Sequence, residues 1–318
     1  ASFKGAFGCQ LLNYNYFGPI MTLRASTDVC GVNTVNFYAD VCGNLGTGYL
    51  GTGTSVNAWL SAQGADQRYA YVTKWYNQGM DVCFNSATMY TLGSQPIYDV
   101  CYGVINFGYT GSAGGTIAGA NANAYFNLNN GSIPYNTYYT TVLKHWNNTP
   151  TALGNFLNSG TGSTTGTYNS FGIVTNNDHY LNWWNGNDAN STNSSFVPNN
   201  IVSFVSTSAA NANTNTMTTG TTTSSTTCIF INGGLNISVA RTGWAATTVN
   251  NLMGSNLNGQ LYYMYYFNAG LANADRLILE ATPTFTPKVL TPQTMALTTT
   301  STSAALSWSA NPSVTYYA

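Results

Sequence analysis

The chain has 318 residues, of which 44% are hydrophobic and only 5% charged; eight Lys/Arg and nine Asp/Glu leave a net charge of −1. An average soluble domain carries about 25% charged residues. Eight cations are too few to neutralise the phosphates of a nucleic acid, no Lys/Arg-rich amphipathic stretch points to a membrane surface, and no apolar run reaches the ~18 residues of a spanning helix.

Stretches rich in Glu, Lys, Arg and Ala are nearly missing, while Thr, Tyr, Val and Phe are punctuated by Gly and Asn, so the pattern predicts an all-β chain. Strands are expected over residues 11–17 and 20–24, on either side of a Gly18-Pro19 turn, and over 35–38. Residues 56–61 read as one short helical turn, 70–75 as an apolar-rich strand, and 104–107 as the strand after Pro96-Ile97-Tyr98. The Gly/Ala/Asn-rich residues 112–132 read as a long loop, and 137–144 as a strong strand.

Residues 150–200 alternate strand fragments with Gly/Asn/Ser turns. Strands at 201–205 and 228–231 bracket a Thr/Ser/Asn tract that reads as a flexible or O-glycosylated loop. Residues 261–267, with Tyr262, Tyr263, Tyr265 and Tyr266, read as a buried strand whose tyrosines serve core and sheet surface. Residues 271–280 form the best predicted helix, with apolar positions 271, 274, 277 and 278 expected to face the core. The expected domain thus spans 1–281. Pro283, Pro287 and Pro292 mark 282–292 as a linker. Residues 293–318 have the opening pattern of an Ig-like or fibronectin-III-like sandwich; such a domain needs about 100 residues, so a longer chain or a partner is expected to complete it.

The six cysteines are Cys9, Cys30, Cys42, Cys83, Cys101 and Cys228, and four of them close the tripeptide Asp-Val-Cys, at Asp28, Asp40, Asp81 and Asp99. An even count without a CxxC pair favours disulfides in an oxidising compartment over a metal cluster. The pairing is open from sequence; Cys30–Cys42 and Cys83–Cys101 would each close a hairpin-sized loop, and Cys9–Cys228 would tie the N-terminal strand inward. Sequons begin at Asn130, Asn147, Asn190, Asn193 and Asn236, the candidate glycosylation sites. Glycans or assembly would keep so neutral a surface soluble.

The run Gly18-Pro19-Ile20-Met21-Thr22-Leu23-Arg24-Ala25-Ser26-Thr27-Asp28 resembles the opening of concanavalin A-like domains of the arabinofuranosidase B type. Tyr71-Val72-Thr73-Lys74-Trp75-Tyr76-Asn77-Gln78 is similar to their Trp-Tyr-Asp-Gln segment, and Gln95-Pro96-Ile97-Tyr98-Asp99 continues the likeness. Asn258 to Tyr262 and on through Ala274-Asp275-Arg276 resembles the last strand and helix of laminin-G-type jelly rolls. Phe37-Tyr38-Ala39-Asp40 with Gly43 to Gly48 is similar to surface proteins of large DNA viruses of algae and protists. The resemblance implies a two-sheet concanavalin A-like jelly-roll sandwich over most of residues 8–281.

The enzymes of that family need two carboxyls about 5–5.5 Å apart. This chain has one glutamate, Glu280, and Asn77 stands where the family has aspartate. The segment that would align with the catalytic one, residues 153–160, has neither its paired cysteines nor a carboxylate. Asp66, Asp178, Asp188 and Asp275 remain as carboxylates outside the Asp-Val-Cys units, His145 and His179 are the two histidines, and the glycines of 46–53 lack the Lys-Ser/Thr of a phosphate loop. Catalysis is not expected.

Binding fits better. Asp178, Trp183, Trp184, Asn185, Asn187 and Asp188 join flat rings to amides and carboxylates, the elements of sugar recognition, and the last three could also ligate Ca²⁺. No other cofactor is expected. The plainer reading of that segment is a hairpin turn with one tryptophan in the core. The sequence thus points to a structural or adhesive protein of an extracellular or virion surface, a coat or fibre subunit whose partners are copies of itself. The alternatives are a carbohydrate-binding lectin-like module and, disfavoured, a glycoside hydrolase.

Overall fold

The computed structural model describes residues 3–13, 15–40, 42–79, 86–107, 124–128, 138–147, 154–159, 168–174, 179–184, 189–191, 200–220, 222, 224–242, 251–254, 257, 259–281, 295–299 and 304–308. The chain divides into two compact units, Ala1–Phe285 and Thr286–Ala318. The second contains an antiparallel hairpin of Met295–Thr299 with Ala304–Trp308.

The first unit is an antiparallel two-sheet sandwich, the all-β class expected from composition. Its first sheet runs β17 (Gly234–Thr242), β16 (Ser224–Ile231), β15 (Asn200–Thr207), β10 (Tyr139–Asn147) and β19 (Gly259–Phe267). Along the far side of β19, β1 (Phe3–Gly8) and β8 (Val104–Phe107) succeed one another end to end. The second sheet runs β4 (Leu45–Gly46), β3 (Thr34–Ala39), β2 (Met21–Arg24), β5 (Tyr69–Tyr76), β6 (Ser86–Thr88), β9 (Phe126–Leu128) and β18 (Asn251–Met253). It continues through β11 (Gly154–Ser159), β12 (Tyr168–Val174), β13 (His179–Trp184) and β14 (Ala189–Asn190). The hairpin partner of β8, β7 (Ile97–Asp99), pairs with β5, so one hairpin joins the two sheets at a corner.

Alternation along the strands builds the core. Leu143, Phe204, Ile229, Met264 and Tyr266 of the first sheet meet Met21, Leu23, Phe37, Val72, Trp75 and Phe126 of the second in one buried cluster. Phe7 and Trp75 cross the sandwich edge to face, with ring centroids 5.7 Å apart.

The first strand is Phe3–Gly8, and the described part of 11–17 is loop. The reason lies in Asn77 and Gln78. Asn77 Oδ1 accepts from the Ala6 and Gly79 N–H groups at 2.8 Å. Gln78 Oε1 accepts from Leu12 N–H at 2.6 Å, while its amide donates to the Gly8 and Gln10 carbonyls. Side-chain amides thus satisfy the backbone beyond β1, which removes any need for a further ladder.

The helix α1 (Val56–Ala62) begins where Ser55 Oγ accepts from Ala58 N–H at 3.3 Å, and it buries Val56, Trp59 and Leu60. The second helix, α2 (Asn273–Ala281), turns the other way from the expectation. Leu277 and Ile278 are exposed, and Arg276 and Glu280 are buried. Arg276 stacks over the Phe230 ring at 3.6 Å and pairs with Glu280, whose Oε1 also accepts from Ser203 Oγ at 2.6 Å. An ion pair stacked on a ring can take a buried face that periodicity assigns to leucine.

The Thr/Ser/Asn tract is anchored within its described residues. Thr218 and Gly270 exchange two backbone hydrogen bonds, Thr207 Oγ1 meets Thr218 Oγ1 at 2.6 Å, and Thr214 O and Asn215 Oδ1 accept the first N–H groups of α2.

Two of the expected cysteine bridges, Cys30–Cys42 and Cys9–Cys228, are corrected. Cys9, Cys30, Cys42, Cys101 and Cys228 are free thiols; Cys83, and with it Cys83–Cys101, lies outside the described residues. Cys30 and Cys42 lie beyond opposite ends of β3, whose six extended residues span about 17–20 Å. Three strands, β19, β10 and β15, separate Cys9 from Cys228, so four spacings of ~4.8 Å lie between them. A disulfide needs Cα atoms within about 7 Å.

What Asp-Val-Cys specifies instead is turns. Asp28 accepts from Gly31 and Asn33 N–H, Asp40 from Cys42 and Asn44 N–H, and Asp99 from Cys101 and Tyr102 N–H.

Candidate functional site

A concavity of the first unit opens where the first sheet changes partner. Against β10, Lys144 pairs with Tyr263 and His145 with Leu261, so Tyr262 is left over as a β-bulge. On the other side of β19 the ladder with β1 ends at Tyr263, Cys9 N–H donates to Tyr262 O at 3.3 Å, and β8 takes over at Leu261. Strict alternation would put Tyr262 and Tyr263 on opposite faces. The bulge lets both line one cleft.

That cleft holds about 190 Å³ and is lined by Cys9, Gln10, Gly43, Tyr98, Tyr102, Gly103, Lys144, Tyr262 and Tyr263. Gly43 and Gly103 sit at φ +83° and +64°, a left-handed conformation that favours glycine and lets two loops turn sharply beside the opening. Tyr102 is 65% exposed at the mouth, while Tyr98 and Tyr263 are buried in the wall. Lys144 Nζ lies 4.9 Å from the Tyr262 ring centroid.

Burial pushes the Cys9 thiol up, which makes it a poor nucleophile near neutrality. Burial likewise raises Tyr98, Tyr262 and Tyr263, the last two also through neighbouring Asp99 and Tyr265 respectively. These phenols therefore stay neutral and can each donate and accept a hydrogen bond. Asp99, beside the cleft, is held above the usual carboxylate range by burial, against the pull of the Tyr102 and Cys101 N–H groups. The lining contains rings, an amide, hydroxyls and one ammonium, and no carboxylate or imidazole. It can stack on a ring and bond hydroxyls; it holds no acid–base pair for glycoside cleavage.

The sequence-derived candidates fall elsewhere. Trp183 and Trp184 lie at the end of β13, and Asn182 pairs with Ala189 across the β13–β14 hairpin. Asp178, Asn185, Asn187 and Asp188, and the Ca²⁺ ligation suggested for the last three, lie outside the described residues. Among the described residues no cluster of His, Cys, Asp or Glu could hold a metal ion. Of the sequons, Asn147 pairs with Gly259 in β10, Asn190 with Leu181 in β14, and Asn236 is half-buried in β17; Asn130 and Asn193 are outside the described residues. Asp66 pairs with Arg68 at 2.6 Å, and Asp275 is exposed in the first turn of α2.

Gln10, Tyr98, Tyr102 and Lys144 were not legible as site residues, because they come from three separate segments, Tyr98 and Tyr102 sharing the β7–β8 hairpin. Of the residues singled out in the sequence, Cys9 and the doubled tyrosines at 262 and 263 do line the cleft, but the cysteine was read as a bridge and the tyrosines as core and sheet surface.

No known family matches the sequence, and no curated protein matches it. Among solved structures the chain is similar to the CBM40 of the Ruminococcus gnavus IT-sialidase, at 13% identity and a TM-score of 0.37 over 50% of this chain and 92% of that one. It is similar to Trypanosoma rangeli sialidase in complex with sialic acid at 9% identity and a TM-score of 0.40, over 72% of this chain and 34% of the sialidase. It is also similar to the leech intramolecular trans-sialidase complexed with 2,7-anhydro-Neu5Ac, at 13% identity and a TM-score of 0.36, over 50% of this chain and 26% of that one.

Proposed function

We propose that the first unit is a non-catalytic carbohydrate-binding module that holds one sugar ring in the Tyr98–Tyr262 cleft. The cleft lining carries this reading: four tyrosine rings and an amide line it, Tyr102 and Tyr262 are its more exposed phenols, and the lining has no carboxylate pair. At about 190 Å³ it is smaller than the ~300–1,000 Å³ pockets of drug-sized ligands, so it suits a terminal or single residue rather than an oligosaccharide. The only glutamate is committed to Arg276 and Ser203 and is not among the cleft's lining residues.

Screening of the full chain against monosaccharides and short glycans tests this. Binding should be found, and Tyr262→Ala should weaken it about tenfold, the worth of one ring contact. A chain that binds no sugar, or a Tyr262→Ala variant with undiminished affinity, would overturn the reading.

A second reading, an adhesive or coat subunit at an extracellular surface, rests on the exposed aromatic pair Phe17 and Tyr49, with ring centroids 6.1 Å apart, beside exposed Leu50. Sedimentation showing monomers up to high concentration would remove it.

A further inference from the structure

We propose that the cleft selects an anionic sugar, one bearing a carboxylate or sulfate ester, through Lys144; the inference rests on the carbohydrate reading and adds its substrate class. Cations are scarce in this protein. The chain has eight Lys/Arg, and most of those described already have work in the fold. Arg24 donates to Gln95 Oε1 at 2.8 Å and stacks on Tyr71. Arg68 is paired with Asp66, and Arg276 is buried on Glu280 and Phe230. Lys74 rests 4.5 Å from the Tyr76 ring centroid, away from the cleft.

Lys144 is the one cation in the cleft lining. Among the described residues no carboxylate lies within ion-pair distance of it, and its partner is the Tyr262 ring. A ring face steadies an ammonium without consuming its N–H donors. Those donors are then available to an anionic ligand, and hydrogen bonds of that kind are roughly twice as strong as neutral ones. Asp99, next to Tyr98 in the chain, is 5% exposed and turns its carboxylate to the Cys101 and Tyr102 N–H groups, so it neither pairs with Lys144 nor lines the opening. Tyr262, a neutral phenol on the same wall, adds a hydroxyl partner without adding negative charge.

The test compares matched ligands: a uronic acid with its parent hexose, and a sulfated hexose with the unsulfated one, each titrated calorimetrically into the full chain. The anionic member of at least one pair should bind tenfold or more tightly. In Lys144→Gln that ratio should fall to near one, and in Lys144→Arg it should persist. In the wild type alone, raising the salt to ~1 M, where the Debye length is about 3 Å, should shrink the ratio. Equal affinity for both members of each pair, or a preference that survives Lys144→Gln, overturns this inference and leaves sugar binding standing. If no sugar of either kind binds, the carbohydrate reading itself fails.

Discussion

His145 lies on the inner face of β10, its ring 4.7 Å from Phe156 and its Nε2 3.0 Å from the Tyr180 hydroxyl. Asn200 Nδ2 reaches the same hydroxyl at 2.8 Å, and Asn232 Nδ2 bonds Asn200 Oδ1 in turn. Burial pulls the imidazole down to about 3, so between pH 6.5 and 3 the unfolded chain binds a proton that the folded one refuses. That contribution is complete above pH 6.5 and is lost as pH falls toward 3, at no more than ~1.4 kcal/mol per pH unit. Urea unfolding across this window should show His145→Gln with a shallower acid slope than the wild type; identical slopes would mean that carboxylates such as Asp28 set it. Asp28 works in the same direction, since four backbone N–H groups outweigh a partial desolvation and hold its carboxyl low. Glu280 illustrates the converse lesson at this scale. Its identity as the only glutamate is plain in the sequence, and that it is spent on Arg276 is plain only in space.

The Trp75-Tyr76-Asn77-Gln78 segment shows how one strand is held by the end of another. Trp75 Nε1 donates to Gly8 O at 2.9 Å, and Asn77 and Gln78 take up backbone groups from Lys4 to Leu12. The end of β5 is therefore a clamp on β1, and β1 is one wall of the seam where the cleft opens. Gln78→Ala removes the acceptor of the Leu12 N–H and one donor each from the Gly8 and Gln10 carbonyls, and should cost about 1–3 kcal/mol. Hydrogen exchange at Leu12 should rise with it; an unchanged rate would show that solvent already satisfies that loop. The segment stands out in the sequence by its resemblance to a known family, and its strand and neighbours fall where expected. Its role does not, because a side-chain amide bonding a backbone some seventy positions away leaves no periodic trace. The Asp-Val-Cys units failed for the same reason: cysteine drew the eye, while aspartate makes the turn.

Across the whole molecule, the separation of the cysteines gives a direct check on the sandwich. Cys30, Cys42 and Cys101 are exposed and should react with a thiol reagent in the native state, whereas Cys9 and Cys228 should react only on unfolding. Fast labelling of all five would contradict the packing of β1 and β16. Composition by itself determined that this chain is built of strands, that its surface is amide and hydroxyl rather than charge, and that a carboxylate pair is scarce. Those are sums over residues and do not depend on who neighbours whom. Only the tertiary structure decided which cations are spent, which cysteines are too far apart to bridge, and that Tyr262 and Tyr263 share a wall. Each of these depends on strand order and on one bulge, and a bulge is a property of two paired strands that neither sequence carries alone.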